Sequence, residues 1–319
     1  MDHPGSERFE RFWREELGIK RPVGEAYGRC YLPLAQIIAR RCEACKPLLV
    51  GICGSQGSGK STWARALEFI LEHRGLRAVS LSLDDLYLPW EEREKLQRQQ
   101  PDNPYYAIHR GNPGTHDLEL GINVLQSLSN ADDQTVTRLP RFDKSLRNGR
   151  GEPLPMGQWP VVRGRPDVVL FEGWFVGARP LERERFEALK ARHPQVLKYE
   201  AEYDPAGEYG WEINLGLEQY RPLFELLQML ILLKVPSLDK VVQWRQAQER
   251  RLISDRGQGM TPEQVERFVQ PFLLLTALHC LDAMGDLQQG HADVIVQIGD
   301  DQLPERLHHM VRTDDRRKP

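Results

Sequence analysis

The chain lacks any apolar run long enough to cross a membrane as a helix. Its best candidate, residues 226–235, is short, contains Gln228 and Lys234, and reads as a core element. It also lacks a clustered basic tract of the kind that follows a nucleic-acid backbone. Its 43 basic residues are outnumbered by 46 acidic ones, a net charge of −3. The run Arg316-Arg317-Lys318 reads as a solvated tail. Residues 1–10 are polar and of mixed charge, with no apolar segment that could serve as a secretory signal. These absences argue against nucleic-acid and membrane partners. They lead to the expectation of a cytoplasmic protein whose partner is a small molecule.

Cysteine is scarce as well. Five thiols in 319 residues, an odd number, do not suit a disulfide framework. Cys42 and Cys45 form a lone C-x-x-C without the second pair of a zinc site, and Cys280 stands alone. Two partly buried helical cysteines are expected at 42 and 45, ahead of a metal or redox pair.

What the chain does contain is Gly54-Ser55-Gln56-Gly57-Ser58-Gly59-Lys60-Ser61, followed by Thr62. This is a complete G-x-x-x-x-G-K-[ST] loop. Small residues let backbone N–H groups turn inward around phosphates, and the next helix adds its positive end. Lys60 is expected at the β/γ-phosphates and Ser61 on Mg²⁺. The context agrees: the apolar run 47–53 reads as a buried parallel strand, and Trp63, Leu67, Ile70 and Leu71 recur at helical spacing.

Further along, strands are expected at 78–83, 136–139, 168–171, 230–235 and 293–296, with helices near 91–100, from 117, at 238–253 and at 262–281. Strands separated by helices predict an α/β fold: a P-loop NTPase-type parallel sheet with helices on both faces. Residues 1–46 carry helical stripes at Phe9, Trp13, Leu17 and at Leu32, Leu34, Ile37, Ile38. They read as an N-terminal helical extension, with the kinase-like domain at 47–319.

Ligands of such sheets sit beyond the C-terminal strand ends, where the acids and cations of this sequence fall. Asp84 and Asp85 end the second strand, where a carboxylate can orient or deprotonate an acceptor hydroxyl or hold Mg²⁺ through water. Glu172 ends the most apolar strand, the place of an acid that supports Mg²⁺. Arg110, with Thr115, His116 and Asp117, forms a turn feeding a helix; Thr115 is the expected N-cap, and His116 suits a substrate contact better than a base. Arg141, Asp143 and Lys144 follow the strand at 136–139. Arg110, Arg141 and Lys144 together could hold an anionic small molecule. Arg245, Arg250 and Arg251, beside Gly257 and Gly259, suit a mobile lid over the phosphates, although Arg245 and Glu249 are also spaced to pair.

Taken together, residues 54–62, Ser82-Leu83-Asp84-Asp85-Leu86-Tyr87, Arg110-Gly111 with Pro113-Gly114-Thr115-His116-Asp117, Arg141-Phe142-Asp143-Lys144-Ser145 and Phe171-Glu172-Gly173-Trp174 resemble the plant-type D-glycerate 3-kinase family. That family is grouped with uridine kinase, phosphoribulokinase and pantothenate kinase. The similarity spans roughly residues 47–285. It implies ATP-dependent phosphorylation of the 3-hydroxyl of D-glycerate, with Asp84 the favoured catalytic acid residue and Asp85 second; the cofactors expected are ATP and, from Ser61 and Glu172, Mg²⁺. Leu86 departs from the phenylalanine common at its position. Two other readings stay open: a kinase for pantothenate, a nucleoside or a sugar phosphate, and a nucleotide-driven ATPase switch.

Overall fold

The computed structural model describes residues 5–107, 109–256 and 259–310, without the side chains of residues 255 and 256. Gly257, placed above beside the expected lid, and the tail at 316–318 lie outside the described residues. The strands are β1 (Leu48–Gly54), β2 (Ala78–Ser82), β3 (Val136–Arg138), β4 (Phe142–Asp143) and β5 (Glu152–Pro153). They continue with β6 (Val161–Arg163), β7 (Val168–Gly173), β8 (Met229–Lys234), β9 (Val294–Ile298) and β10 (Pro304–His309). The first helices are α1 (Ser6–Glu15), α2 (Leu32–Ala44), α3 (Lys60–Glu72), α4 (Trp90–Gln99) and α5 (Leu118–Ser129). There follow α6 (Arg183–Lys190), α7 (Pro194–Tyr203), α8 (Glu208–Gly216), α9 (Arg221–Phe224), α10 (Leu238–Arg256) and α11 (Pro262–Leu275).

Six strands make one sheet in the order β10-β9-β8-β1-β7-β2. All neighbours are parallel except β10, which runs antiparallel on the edge. β1 and β7 are buried along their whole length, as expected of apolar strands covered on both faces. The register pairs Ile52 with Glu172 and Ser82 with Glu172. The C-terminal ends of β1, β7 and β2 are therefore level. On one face lie α3 and α2. On the other lies a π-helical segment, Thr276–Ala283, that continues α11 and brings Cys280 Sγ to 3.8 Å from Cys53 Sγ. None of the five cysteines is in a disulfide; Cys42 is buried in α2 and Cys45 is half-buried just past it. No helix among the described residues is long and apolar enough to cross a membrane.

Two features depart from the sequence reading. The strand expected at 136–139 forms at Val136–Arg138 but leaves the main sheet and pairs with β6. Only Thr137 of its three residues is buried, so it suits a ladder open to water on one face and not a central strand. β10 was not anticipated, because its exposed Glu305 and Arg306 give it the polar face of an edge strand.

The N-terminal segment shares its core with α3. Phe9, fully buried, touches the rings of Phe12, Trp13, Tyr27, Tyr31 and Phe69. Tyr31 stacks on Trp63 at 3.9 Å, and Phe12 on Phe69 at 4.2 Å. Trp63 and Phe69 belong to the helix that starts at the P-loop lysine.

Between β2 and β7 the chain makes an excursion carrying α4, α5 and the two small ladders β3–β6 and β4–β5. It is tied together by one buried cation. Arg93 is 1% exposed and donates to four carbonyls: Leu88 at 2.7 Å, His109 at 3.0 Å, Arg150 at 2.9 Å and Gly151 at 2.6 Å. Its guanidinium lies over the rings of Trp90 and Phe142. It has no carboxylate partner among the described residues, and burial pushes it down to about 10. Replacing Arg93 by Met removes the donors and strands buried carbonyls, each costing about 1–3 kcal/mol. Arg93→Met is expected to lose about 3 kcal/mol or more in denaturant unfolding; a variant as stable as the parent would show that the excursion holds without this clamp.

Candidate active site

β1 ends at Gly54, and the chain turns through the loop into α3. Glycine is required at three points. A Cβ on Gly54 would lie 2.6 Å from Ser58 Oγ; Gly57 and Gly59 have φ of +76° and +87°, where side chains are strained. A Cβ on Gly57 would also press on Trp244 of α10 at 3.0 Å. Ser58 donates its hydroxyl to Ser55 O at 2.8 Å, and Lys60 Nζ donates to the same carbonyl at 3.0 Å. Ser55 is buried, and Gln56 Oε1 is buried without a partner among the described residues. Thr62 sits half-buried one residue past Ser61 in the first turn of α3. The loop tip is braced from the far edge of the sheet: Gln302 Nε2 donates to Gly57 O at 2.9 Å, and Trp244 Nε1 donates to Asp300 O.

The level strand ends bring the acids to the loop. Ser61 donates its hydroxyl to Glu172 Oε1 at 2.7 Å, and Glu172 is buried. Asp84 stands in a 3₁₀ turn directly after β2, Leu83–Leu86, where its backbone N–H donates to Ser82 Oγ. Lys144 Nζ donates to Asp84 Oδ2 at 2.5 Å and Tyr87 Oη donates to Asp84 Oδ1 at 2.8 Å. Burial pushes this carboxyl up, but the Lys144 charge, these two hydrogen bonds and the Lys60 ammonium outweigh it and hold Asp84 at about 2. Asp85 goes the other way. Burial raises it above the usual carboxylate range, against the pull of Arg141 and of N–H donation from Phe142. Two adjacent carboxyls are thus driven apart by their surroundings. Asp85 accepts from Arg141 Nη1 at 3.2 Å and from Phe142 N at 3.3 Å, which ties the β4–β5 loop to the end of β2.

Of the three cations expected around an anion, two are already paired. Lys144 is on Asp84 and Arg141 on Asp85. Arg110 donates to the carbonyls of Gly149 and Arg150 and has no carboxylate partner among the described residues.

The turn at 110–117 is organised differently from the sequence reading. Asp117, not Thr115, is the N-cap of α5: its Oδ1 accepts from Leu120 N at 2.9 Å. Thr115 is buried and bridges inside the turn, donating to Asn112 O and accepting from Gly111 N. Asp143 likewise accepts from Ser145 N and Oγ. Thr115 Oγ1, Asp117 Oδ1 and Asp143 Oδ1 are thus each engaged within their own loops. His116 is buried with its ring stacked on Tyr87 at 4.5 Å and its Nδ1 2.7 Å from Tyr220 Oη. Sequence reasoning passed over Tyr220 and Arg93. Tyr220 is 104 residues from its partner, and Arg93 is one charge among many on α4.

On α10, Arg245 Nη1 donates to Glu249 Oε2 at 2.6 Å and its guanidinium lies over Phe268. Glu249 is buried and also accepts from Met260 N, pinning the segment after α10 back onto it. Arg250 and Arg251 are exposed on the same helix.

No protein-family model matches the chain. Among curated proteins it is similar to the uncharacterized kinase mug58 of Schizosaccharomyces pombe, 35% identical over 229 residues, which are 72% of this chain and 79% of that protein. It is also similar to the chloroplastic D-glycerate 3-kinase of Arabidopsis thaliana, 31% identical over 229 residues. That match covers 71% of this chain and 46% of the plant protein, so the chain spans about half the length of that relative. Among solved structures, D-glycerate 3-kinase from Cryptococcus neoformans var. grubii superposes with a TM-score of 0.74 at 28% identity, covering 88% of this chain and 98% of that one. With a phosphate loop at the head of a parallel sheet, acids level with it and kinases for relatives, the chain belongs to the D-glycerate 3-kinase family of P-loop kinases.

Proposed function

We propose that the chain transfers the γ-phosphoryl group of ATP to the 3-hydroxyl of D-glycerate, giving 3-phosphoglycerate and ADP. The observation that carries this reading is Asp84: a carboxylate one strand-end from Glu172, within the field of Lys60, and bordered by cations on its outer side. The names of the plant and fungal relatives support the acceptor.

The loop fits a triphosphate. Its glycines leave room that a Cβ would fill, and Lys60 is held at the loop by one carbonyl that a phosphate oxygen can replace. Ser61 and Glu172 fit Mg²⁺: a hydroxyl and one carboxylate, 2.7 Å apart, are hard oxygen donors, and Mg²⁺ takes its other ligands from water and phosphate. When bound, the metal would neutralise charge on the β- and γ-phosphates.

The chain's own residues then supply position and charge. The P-loop amides and Lys60 hold the leaving phosphates. Asp84 accepts the hydrogen bond of the 3-hydroxyl and aims its oxygen at the γ-phosphorus. The new O–P bond forms as the bridging oxygen leaves with its electron pair on ADP, and the hydroxyl proton passes to Asp84 once the oxygen has become acidic. A carboxylate held at about 2 is a weak base, so its part is orientation in a loose transition state. Arg110 takes the substrate carboxylate, because its charge is not already matched by an acid.

The direct test is mass-spectrometric detection of phosphorylated product from D-glycerate beside L-glycerate, pantothenate and uridine. Phosphorylation of D-glycerate is expected, and its absence would overturn the acceptor. Asp84→Asn is expected to lower kcat by about 10²–10⁴-fold with ATP binding retained; normal turnover would remove Asp84 from the role. Because the native pKa lies below the ordinary 3.8, the stability that ionised Asp84 contributes is complete above pH 4 and is lost as the pH falls towards about 2. The gap in unfolding free energy between parent and Asp84→Asn should follow that course, and a gap that closes by pH 5 would show that the carboxyl is not held low. Arg110→Ala is expected to raise KM for D-glycerate by about 10- to 100-fold and leave KM for ATP unchanged. An equal rise in both would place Arg110 elsewhere.

A further inference from the structure

The hydrogen-bond pattern around His116 fixes where its proton sits. The Tyr220 phenol oxygen accepts the backbone N–H of Gly114 at 3.0 Å. A phenol has a single proton to donate, and among the described residues the acceptor within its reach is His116 Nδ1, 2.7 Å away. Nδ1 is therefore an acceptor. Burial keeps the imidazole neutral, pushing it down to about 3. A neutral ring with Nδ1 as acceptor carries its hydrogen on Nε2. Nε2 is buried and has no partner among the described residues. A buried donor without an acceptor is uncommon in a folded protein and marks a place where something else supplies one.

The position of the ring says what that is, on the reading given under Proposed function. His116 is only 5% exposed, and its ring lies flat on Tyr87, whose hydroxyl holds Asp84 Oδ1. The two segments are also joined by backbone bonds, Asp117 N to Leu86 O and Leu88 N to Thr115 O. The imidazole is thus one ring away from the carboxylate that orients the reacting hydroxyl, and its Nε2–H is neutral. A carboxylate would be drawn to Arg110; an uncharged donor suits an uncharged oxygen. In D-glycerate the uncharged oxygen beside the reacting C3 hydroxyl is the C2 hydroxyl. We propose that His116 Nε2–H, its tautomer set by Tyr220, donates to the C2 hydroxyl of the acceptor and makes the site select 2,3-dihydroxy acids over 3-hydroxy acids. His116 is then a specificity residue and Tyr220 a positioning residue.

The test compares kcat/KM for D-glycerate and for 3-hydroxypropanoate, which lacks only the C2 hydroxyl. The parent enzyme is expected to prefer D-glycerate by about 100-fold or more, since a site built around a hydroxyl leaves its donor unpaired when that hydroxyl is missing. His116→Phe should bring the ratio close to one, almost wholly through loss on D-glycerate. His116→Gln, which carries an amide N–H on a chain of similar reach, should retain part of the preference, and Tyr220→Phe should weaken it. A His116→Phe enzyme that loses both acids equally, or keeps the parent ratio, overturns the proposal. The tautomer is read in the parent protein without any variant: ¹⁵N NMR should show the His116 proton on Nε2 and a shift of that signal when D-glycerate binds beside a non-hydrolysable ATP analogue. A proton on Nδ1, or a signal that the acceptor does not move, overturns it too. A parent enzyme that phosphorylates neither acid overturns the glycerate reading itself, and this inference with it.

Discussion

Five parallel strands that end level impose the rest of this molecule. Because β1, β7 and β2 are neighbours in register, Gly54, Glu172 and Asp84 emerge on one edge, although 118 positions separate the first from the second. Nothing in their side chains need bring them together; burial of apolar strands on both faces does so. Once there, each meets the others' fields. Lys60 lowers Asp84, and Ser61 holds Glu172. The chemistry is a consequence of sheet topology, and the loops have only to refine it.

The refinement lies in how the cations are partnered. Among the described residues Arg93 bonds carbonyls and no acid, and so shapes the excursion without adding an ion pair there. Lys144 and Arg141 each match one of the two adjacent acids; Lys144 with Tyr87 holds Asp84 low, whereas at Asp85 burial outweighs the pull of Arg141. Arg110, half-buried, is left with two carbonyls and, among the described residues, no acid. This division separates scaffold, acid and anion recognition among four residues that look equivalent as letters.

That equivalence explains what could be read from the chain beforehand. The P-loop, the strand ends and both acids were legible because each is a local pattern: glycines at fixed offsets, or an acid directly after an apolar run. The family resemblance reached the same residues. The rest depends on pairs far apart in sequence. Tyr220 can be matched to His116, and Arg93 to Arg150, only after the chain has folded. The N-cap was placed two residues early because Thr115 and Asp117 both have capping chemistry, and only the buried bond from Thr115 to Asn112 decides between them. Val136 was set in the main sheet because a short alternating run does not say which sheet it joins.

The aromatic layer of the N-terminal segment has a mechanical meaning. Trp63 and Phe69 are clamped by Tyr31, Phe12 and Phe9 on the side of α3 away from the sheet. The helix that presents its positive end to the phosphates is therefore held from both sides, like a beam set into two walls. The other bank of the cleft is held by polar groups instead: Arg93 on four carbonyls within the excursion, Asp85 on Arg141 and Phe142 N, and Glu249 on Met260 N after α10.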